Sequence, residues 1–356
     1  MPSARPGIAI IVLMAVLMPP VLADGLPAIP CSDTDHECAV SAIPDSPVLK
    51  VSFWKQAFDK PVENRLGVAP DGLVTLLNLD NIAQGYPNKP HAAPIPADFL
   101  QDVKGALADM PARVKRLLDR KLAGIYFVKD LGSTGYTQRI NGGFFSEDAG
   151  LIVLDMDVLG SRTANDWITW KERTPFRPDS HYRLDARIET DQQDTRRNAI
   201  LYILLHELGH VLSIGENFHP PWDETQVRPS LEGFPFAQLS WEAGNPRSSN
   251  YASLFDSEFP LRRNIVYYLG ARLKGDQMVD AYHQLEKTSY PTLYAATSPA
   301  EDFADSFVNY VHVVLMKRPF EIRIHRDGVL AEDYQSCWNE RRCAGKRRMV
   351  ENFLRQ

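Results

Sequence analysis

The sequence has no excess of basic charge, no internal repeat and, beyond its first residues, no long apolar run. The chain has 356 residues with 39 Lys or Arg and 45 Asp or Glu, a formal net charge of -6. A mildly acidic chain has no electrostatic attraction for nucleic acid or for an anionic membrane surface. No segment after the leader reaches the roughly 20 apolar residues that a membrane-spanning helix needs. We therefore predict neither nucleic acid nor a membrane as a partner of the mature chain.

Cysteines are few, and they lie in two close pairs near the ends of the chain, Cys31 with Cys38 and Cys337 with Cys343. A four-cysteine zinc site would need short Cys-x-x-Cys spacings, which the sequence lacks. An even number of cysteines in an exported chain suggests disulfides, and the two local pairings are favoured among the three possible connectivities. We predict one disulfide near each terminus.

The first 23 residues, MPSARPGIAIIVLMAVLMPPVLA, have the layout of a secretory signal peptide cleaved after Ala23. They carry one charge, at Arg5, and their apolar run from Ile8 to Met18 is short for an uncleaved membrane anchor. Their removal takes away one base and no acid, so the net charge changes from -6 to -7. The leader predicts export to the periplasm or to the extracellular space, and anchoring is the alternative.

Helical and strand patterns are both present along the chain. Strand patterns occur at 124–131, 150–159 and 320–326, and helical patterns occur at 97–122, 191–215, 261–273, 275–285, 298–315 and 346–354. Asp191 or Asp194 is the expected cap of the long helix that ends at Gly215. The patterns predict an α+β fold with a small mixed sheet and a mainly helical C-terminal half.

The long helix contains the stretch ILYILLHELGHVL, residues 200–212, in which His206 and His210 lie four apart with Glu207 between them. Positions i and i+4 share one face of a helix, so both imidazoles can bind one ion. Catalytic zinc sites use three protein ligands and leave one position for water, which Glu207 could reach as a general base. A pair of core histidines satisfied by backbone hydrogen bonds is the alternative. Because ionisable groups on a buried helix are costly without a partner, we favour a zinc site.

The third ligand has several candidates. A metzincin would have Gly at 213 and His at 216, whereas this chain has Ser213 and Glu216, which excludes that class. His219 and Asp223 follow the helix and are conceivable ligands. The preferred candidate is Glu301, with Asp305 one helical turn later placed to accept the outer N–H of a ligand histidine. The segment from Ser298 to Glu301 is also a capping box, which would explain Glu301 without a metal.

The motif HELGH, followed some ninety residues later by EDFAD, resembles the gluzincin metallopeptidases. The resemblance is greatest to the branch that includes the Pro-Pro endopeptidases and the lethal-factor protease domain, and it covers roughly residues 123–316. It implies a zincin-like fold, a zinc ion bound by His206, His210 and Glu301, and catalysis by Glu207. Members of that branch have a tyrosine seven residues before the glutamate ligand, which implies that Tyr294 donates a hydrogen bond to the developing oxyanion.

These features predict an exported zinc endopeptidase that acts on polypeptides. Residues 24–96 are expected to form an N-terminal extension and candidate prosegment, because they are rich in Pro, Asp and Asn and end in a loop-like stretch. Residues 97–356 would form the catalytic domain, with a loop-rich insertion at 216–260 and with the strand at 150–159 aligning the substrate. A binding protein with structural zinc and a zinc amidase acting on cell-wall material are the alternatives.

Overall fold

The computed structural model describes residues 29–144, 146–224, 227–243 and 251–356, so the predicted signal peptide lies outside the described residues. The helices are α1 (His36–Ala42), α2 (Lys55–Phe58), α3 (Asp71–Gln84), α4 (Ala97–Asp109), α5 (Ala112–Leu117), α6 (Met156–Leu159), α7 (Ala164–Arg173), α8 (Arg196–Ser213), α9 (Met278–Leu285), α10 (Pro299–Tyr310) and α11 (Ala344–Phe353). The strands are β1 (Leu66–Val68), β2 (Leu122–Val128), β3 (Gly135–Ile140), β4 (Ala149–Asp155), β5 (Tyr182–Arg187), β6 (Trp241–Glu242), β7 (Ala252–Ser253), β8 (Glu321–Arg326) and β9 (Val329–Gln335).

The main sheet has the strand order β1-β2-β4-β3, in which β1, β2 and β4 are parallel and β3 is antiparallel to β4. The predicted small mixed sheet is therefore confirmed, within a mixed α and β architecture. Its central strands are buried on both faces, since alternate residues point into two separate apolar cores. Phe127 and Leu154 belong to the larger core around α8, and Val128 and Val153 belong to the smaller core under α3.

The strand predicted at 150–159 is present, but it is not the edge strand that alignment of a substrate requires. It forms β4 up to Asp155, and β4 lies between β2 and β3 inside the sheet. An inner strand has its hydrogen-bonding groups paired on both sides, so it cannot align a substrate. The edge strand next to α8 is β3 instead.

Residues 24–96 are not separate from the remainder of the chain where they are described. Strand β1 pairs in parallel with β2, and α3 buries Leu73, Leu76 and Leu77 against the same sheet. The described part of residues 24–96 thus contributes a strand and a helix to the main sheet and its core. Action of these residues as a prosegment stays a prediction.

Helix α8 lies in the centre of the molecule, between the sheet and helices α4, α7 and α10. Its cap is Thr195, whose hydroxyl accepts a hydrogen bond from the Asn198 amide at 3.3 Å, and not Asp191 or Asp194 as predicted. Asp194 accepts hydrogen bonds from Thr163 and Asn165 at the start of α7. Asp194 thus caps the start of α7 and not the start of α8.

The C-terminal half is less helical than predicted, because it also contains a three-stranded antiparallel sheet of order β5-β8-β9. The helix predicted at 261–273 is wrong: the segment has a short 3₁₀ turn, Pro260–Asn264, and then irregular backbone in which Tyr268 has φ 65°. The loop-rich segment 216–260 has only short elements among its described residues.

Both predicted disulfides, Cys31–Cys38 and Cys337–Cys343, are present. Each closes a short loop, one before α1 ends and one just before α11 begins. Among the described residues, none of the helices combines the length and the apolarity required to cross a membrane.

Candidate metal centre

Helix α8 brings His206 and His210 onto one face, with their ring centroids 5.0 Å apart. Their side chains are 13% and 10% exposed, so both imidazoles are largely removed from solvent. The Nε2 atoms of both rings lie close to the same carboxylate oxygen, Glu301 Oε2, at 3.2 Å and 3.3 Å. The distant glutamate that the sequence singled out therefore reaches the histidine pair.

Glu301 is also at the capped start of α10, so the two interpretations left open by the sequence are compatible. The Ser298 hydroxyl accepts a hydrogen bond from the Glu301 backbone amide at 3.2 Å, and Pro299 occupies the first helical position. The cap fixes the backbone of the first turn, while the Glu301 side chain extends to the histidines. Capping orients the residue and leaves its carboxylate for another partner.

The close packing of α8 on α10 sets the distance between Glu301 and the histidines. Gly209 lies between the two helices, and a Cβ atom on this residue would be 2.8 Å from the Cα of Ala304. Any side chain at position 209 would push the helices apart. The glycine inside HELGH is thus needed for the approach of Glu301, the third member of the group.

Asp305 lies one turn after Glu301 and contacts the far side of the His206 ring. Its Oδ1 is 2.8 Å from His206 Nδ1, and its Oδ2 accepts a hydrogen bond from the Thr292 hydroxyl. A hydrogen bond at Nδ1 leaves Nε2 as the free ring nitrogen of His206. That nitrogen is the one directed at Glu301.

The group formed by His206, His210 and Glu301 could hold a metal ion, since one ligand atom from each residue lies within 4.8 Å of the others. Glu301 Oε2 is buried and has no hydrogen-bond partner among the described residues. Burial raises the pKa of Glu301, but the two histidines outweigh it and the pKa is lowered overall. Burial lowers the pKa of His206, but Asp305 and Glu301 outweigh it and raise the pKa to about 10. The cluster thus favours positive charge at its centre, and its nitrogen and oxygen donors suit a divalent cation.

Glu207 follows the first histidine and lies between α8 and β3. Its carboxylate accepts a hydrogen bond from the Thr137 hydroxyl at 2.6 Å, and both residues are 6% exposed. A Cβ atom on Gly135 would be 2.7 Å from Glu207 Oε1, so the strand passes very close to the carboxylate. Thr137 was missed by the sequence analysis because its partner is 70 residues away and no motif marks it.

Tyr294 lies in a short 3₁₀ turn, Tyr294–Ala296, just before α10. Its ring centroid is 5.6 Å from that of His206 and 4.7 Å from that of Tyr267. The residue lines the same cavity as His206, His210 and Glu301. The structure therefore brings Tyr294 together with the other predicted site residues.

The two alternative ligands are placed elsewhere. Asp223 is held by the Arg139 guanidinium at 3.0 Å and 3.2 Å from its two oxygens. His219 is buried and its Nδ1 lies 2.8 Å from the Pro220 carbonyl oxygen. Neither residue belongs to the group of ligand atoms around Glu301. Trp222 from the same segment contacts the His210 ring instead, at a centroid distance of 5.4 Å.

A cavity of about 290 Å³ contains the cluster, and it adjoins two larger clefts of about 1340 Å³ and 1210 Å³. Ser133 and Tyr268 line all three spaces. One cleft has α3 as a wall, and the other is bounded by the segment after α7. Tyr294 and Glu301 line both the cavity and the larger cleft, so the larger cleft reaches the candidate centre.

Comparison of the chain with protein-family models, with curated proteins and with solved structures finds no match in any of the three. The resemblance to gluzincins rests on the motif residues of the sequence.

Proposed function

We propose that this chain is an exported zinc-dependent endopeptidase of the gluzincin type. The observation that carries the proposal is the convergence of His206, His210 and Glu301 across ninety residues of sequence, with Glu207 beside them. Two imidazoles and a carboxylate are the ligand set of several catalytic zinc sites. Both disulfides agree with an oxidising compartment, as an exported protein would meet.

Zinc bound by these three residues would polarise a carbonyl and lower the pKa of a water molecule. The Glu207 carboxylate is held by Thr137 at the edge of the cavity, where it can accept a proton from that water and transfer it to the leaving amine. The Tyr294 hydroxyl donates a hydrogen bond to the oxygen on which negative charge develops. Asp305 keeps His206 in the tautomer that has a free Nε2.

The form of the site supports a polypeptide substrate that is cut internally. The larger cleft shares Tyr294 and Glu301 with the cavity and the second cleft adjoins it through Ser133 and Tyr268, so a chain of several residues has room beside the reacting bond. The edge strand β3 passes beside Glu207 and can align an extended chain through main-chain hydrogen bonds. We assign to β3 the role that the sequence analysis gave to residues 150–159.

The test compares two substitutions that separate metal binding from turnover. Glu207→Gln is expected to retain about one zinc per chain and to lose hydrolysis of casein or of a peptide library, because only the proton acceptor is removed. His210→Ala is expected to lose zinc and the increase in melting temperature that zinc produces, since a ligand is gone.

His36→Ala is the matched control, because His36 lies on the exposed helix α1. It should bind zinc and cleave as the unmodified chain does. Peptide hydrolysis at the rate of the unmodified chain in Glu207→Gln or in zinc-free His210→Ala would disprove the proposal. Release of products from wall material but not from protein would instead favour an amidase.

A further inference from the structure

Lys171 on α7 is a buried ammonium beside the candidate metal centre, and the mechanism above does not use it. Its side chain is 6% exposed, and it lines the same cavity as His206 and Glu301. A charged group in such a position is costly unless its contacts compensate the loss of hydration.

The contacts of Lys171 direct it at Tyr294. Its Nζ lies 4.2 Å from the centroid of the Tyr294 ring and 5.1 Å from that of Tyr267. Glu172 Oε1 is 3.3 Å from the same Nζ. Glu172 Oε2 in turn accepts hydrogen bonds from the hydroxyls of Tyr267 and Tyr282, at 2.9 Å and 3.0 Å. The ammonium is therefore fixed in place, with the face of Tyr294 against it.

The surrounding charges keep Lys171 protonated. Burial lowers its pKa, but Asp305 and Glu172 outweigh this effect and the pKa is raised overall. Lys346 gives the contrast: it is equally buried beside the single carboxylate of Asp302, and its pKa is lowered to about 8. Asp305 and Glu172 thus make the position of Lys171 more favourable for a cation than the position of Lys346.

We propose that Lys171 is a positioning residue for Tyr294. Its ammonium holds the ring through a cation–π contact, so that the hydroxyl points into the cavity that contains the metal cluster. The role deepens the proposed function, and it rests on that function for its kinetic consequence only.

The kinetic test is a double-mutant cycle. Lys171→Met should lower kcat roughly tenfold with KM within about twofold, the scale expected of a desolvated cation–π contact. In a Tyr294→Phe background, which itself should lower kcat by about 10 to 1000-fold, the same change should have no further effect. Lys171→Arg should restore part of the rate. A Lys171→Met effect of equal size in both backgrounds would overturn the proposal.

Lys121→Met is the matched control, since Lys121 is a partly buried lysine that donates to the Ile214 carbonyl just after α8 and does not contact Tyr294. It should leave kcat unchanged. If Lys171→Met does not fold, Lys171→Gln takes its place in the cycle.

A second measurement does not depend on turnover. With 3-fluorotyrosine at position 294, the fluorine resonance of the zinc-loaded chain should be single and narrow, and Lys171→Met should shift and broaden it while Lys121→Met does not. This response in a chain that hydrolyses no peptide would disprove the proposed function and still support the positioning of Tyr294. An unchanged resonance in an active chain would overturn the inference alone.

Discussion

At the scale of single residues, the hydroxyl of Thr137 orients the carboxylate of Glu207. It donates to Glu207 from a strand that is 70 residues away in sequence, at 2.6 Å, inside a site where both groups are buried. A hydrogen bond to an ionised carboxylate is shorter and stronger than a neutral one. This contact fixes the side chain that we propose to accept the proton.

Thr137→Val is therefore expected to lower kcat about tenfold while zinc content stays the same, since the variant removes one hydrogen bond of roughly 1.5 to 3 kcal/mol and keeps the side-chain volume. Steady-state kinetics and metal analysis of the purified variant measure the two quantities. Thr137→Ser is the matched control because it keeps the donor. Loss of zinc in Thr137→Val would show that the residue supports the fold of the site and not the orientation of Glu207.

The crossing of α8 and α10 is the decisive contact at the scale of elements. Gly209 allows the helices to approach, and the approach places Glu301 Oε2 3.2 Å and 3.3 Å from the Nε2 atoms of the two imidazoles. Asp305 on α10 also contacts His206 on α8, from the opposite side of the imidazole ring. The packing of α8 on α10 thus sets the geometry of the candidate metal site.

Gly209→Ala tests this coupling. Overpacking at a helix crossing costs roughly 1 to 3 kcal/mol, and we expect a loss of stability of that size together with at least tenfold weaker zinc binding, because Glu301 moves with α10. Chemical unfolding and chelator competition give the two values. Gly67→Ala on β1, where a Cβ atom meets nothing within 4 Å, should change neither. Unaltered zinc affinity in Gly209→Ala would refute the link between the crossing and the site.

At the scale of the whole molecule, the main sheet depends on the region 24–96, which composition marked as an extension. Strand β1 completes one side of the main sheet, and α3 covers the apolar face formed by Leu151, Val153 and Val128. The same helix forms a wall of the larger cleft through Leu77 and Asp80. A segment with these contacts stabilises the fold and shapes the cleft.

Removal of residues 24–96 is accordingly expected to leave a chain that does not fold, because an apolar sheet face and a parallel strand edge would be exposed. Circular dichroism and size-exclusion chromatography of the truncated mature chain measure this. A shorter truncation leaves a chain whose first residue is 47. This chain lacks α1 and the Cys31–Cys38 disulfide but keeps β1 and α3, and it should fold. A folded and more active product of the longer truncation would demonstrate a dispensable prosegment.

Periodicity and spacing were enough to place the elements whose signals are local. The two histidines on α8, the cap at the start of α10, the strand at β8 and both disulfides each come from residues at most seven positions apart. Local pattern failed at 261–273, where helical spacing of apolar residues did not prevent an irregular backbone with a positive φ at Tyr268. It also gave the wrong cap for α8, since Asp194 was equally able to serve the neighbouring helix α7.

The sequence by itself determined that a histidine pair and a nearby glutamate share one buried helix, because i and i+4 geometry is a property of the helix alone. The sequence also favoured Glu301 as the third ligand, with Asp305 behind a ligand histidine, and left His219 and Asp223 as alternatives; Tyr294 came from the resemblance to gluzincins. Only the tertiary structure decided that these groups meet, which strand forms the sheet edge, and that Thr137 and Lys171 belong to the same site. Such contacts depend on how elements pack at a distance, and no spacing along the chain encodes them.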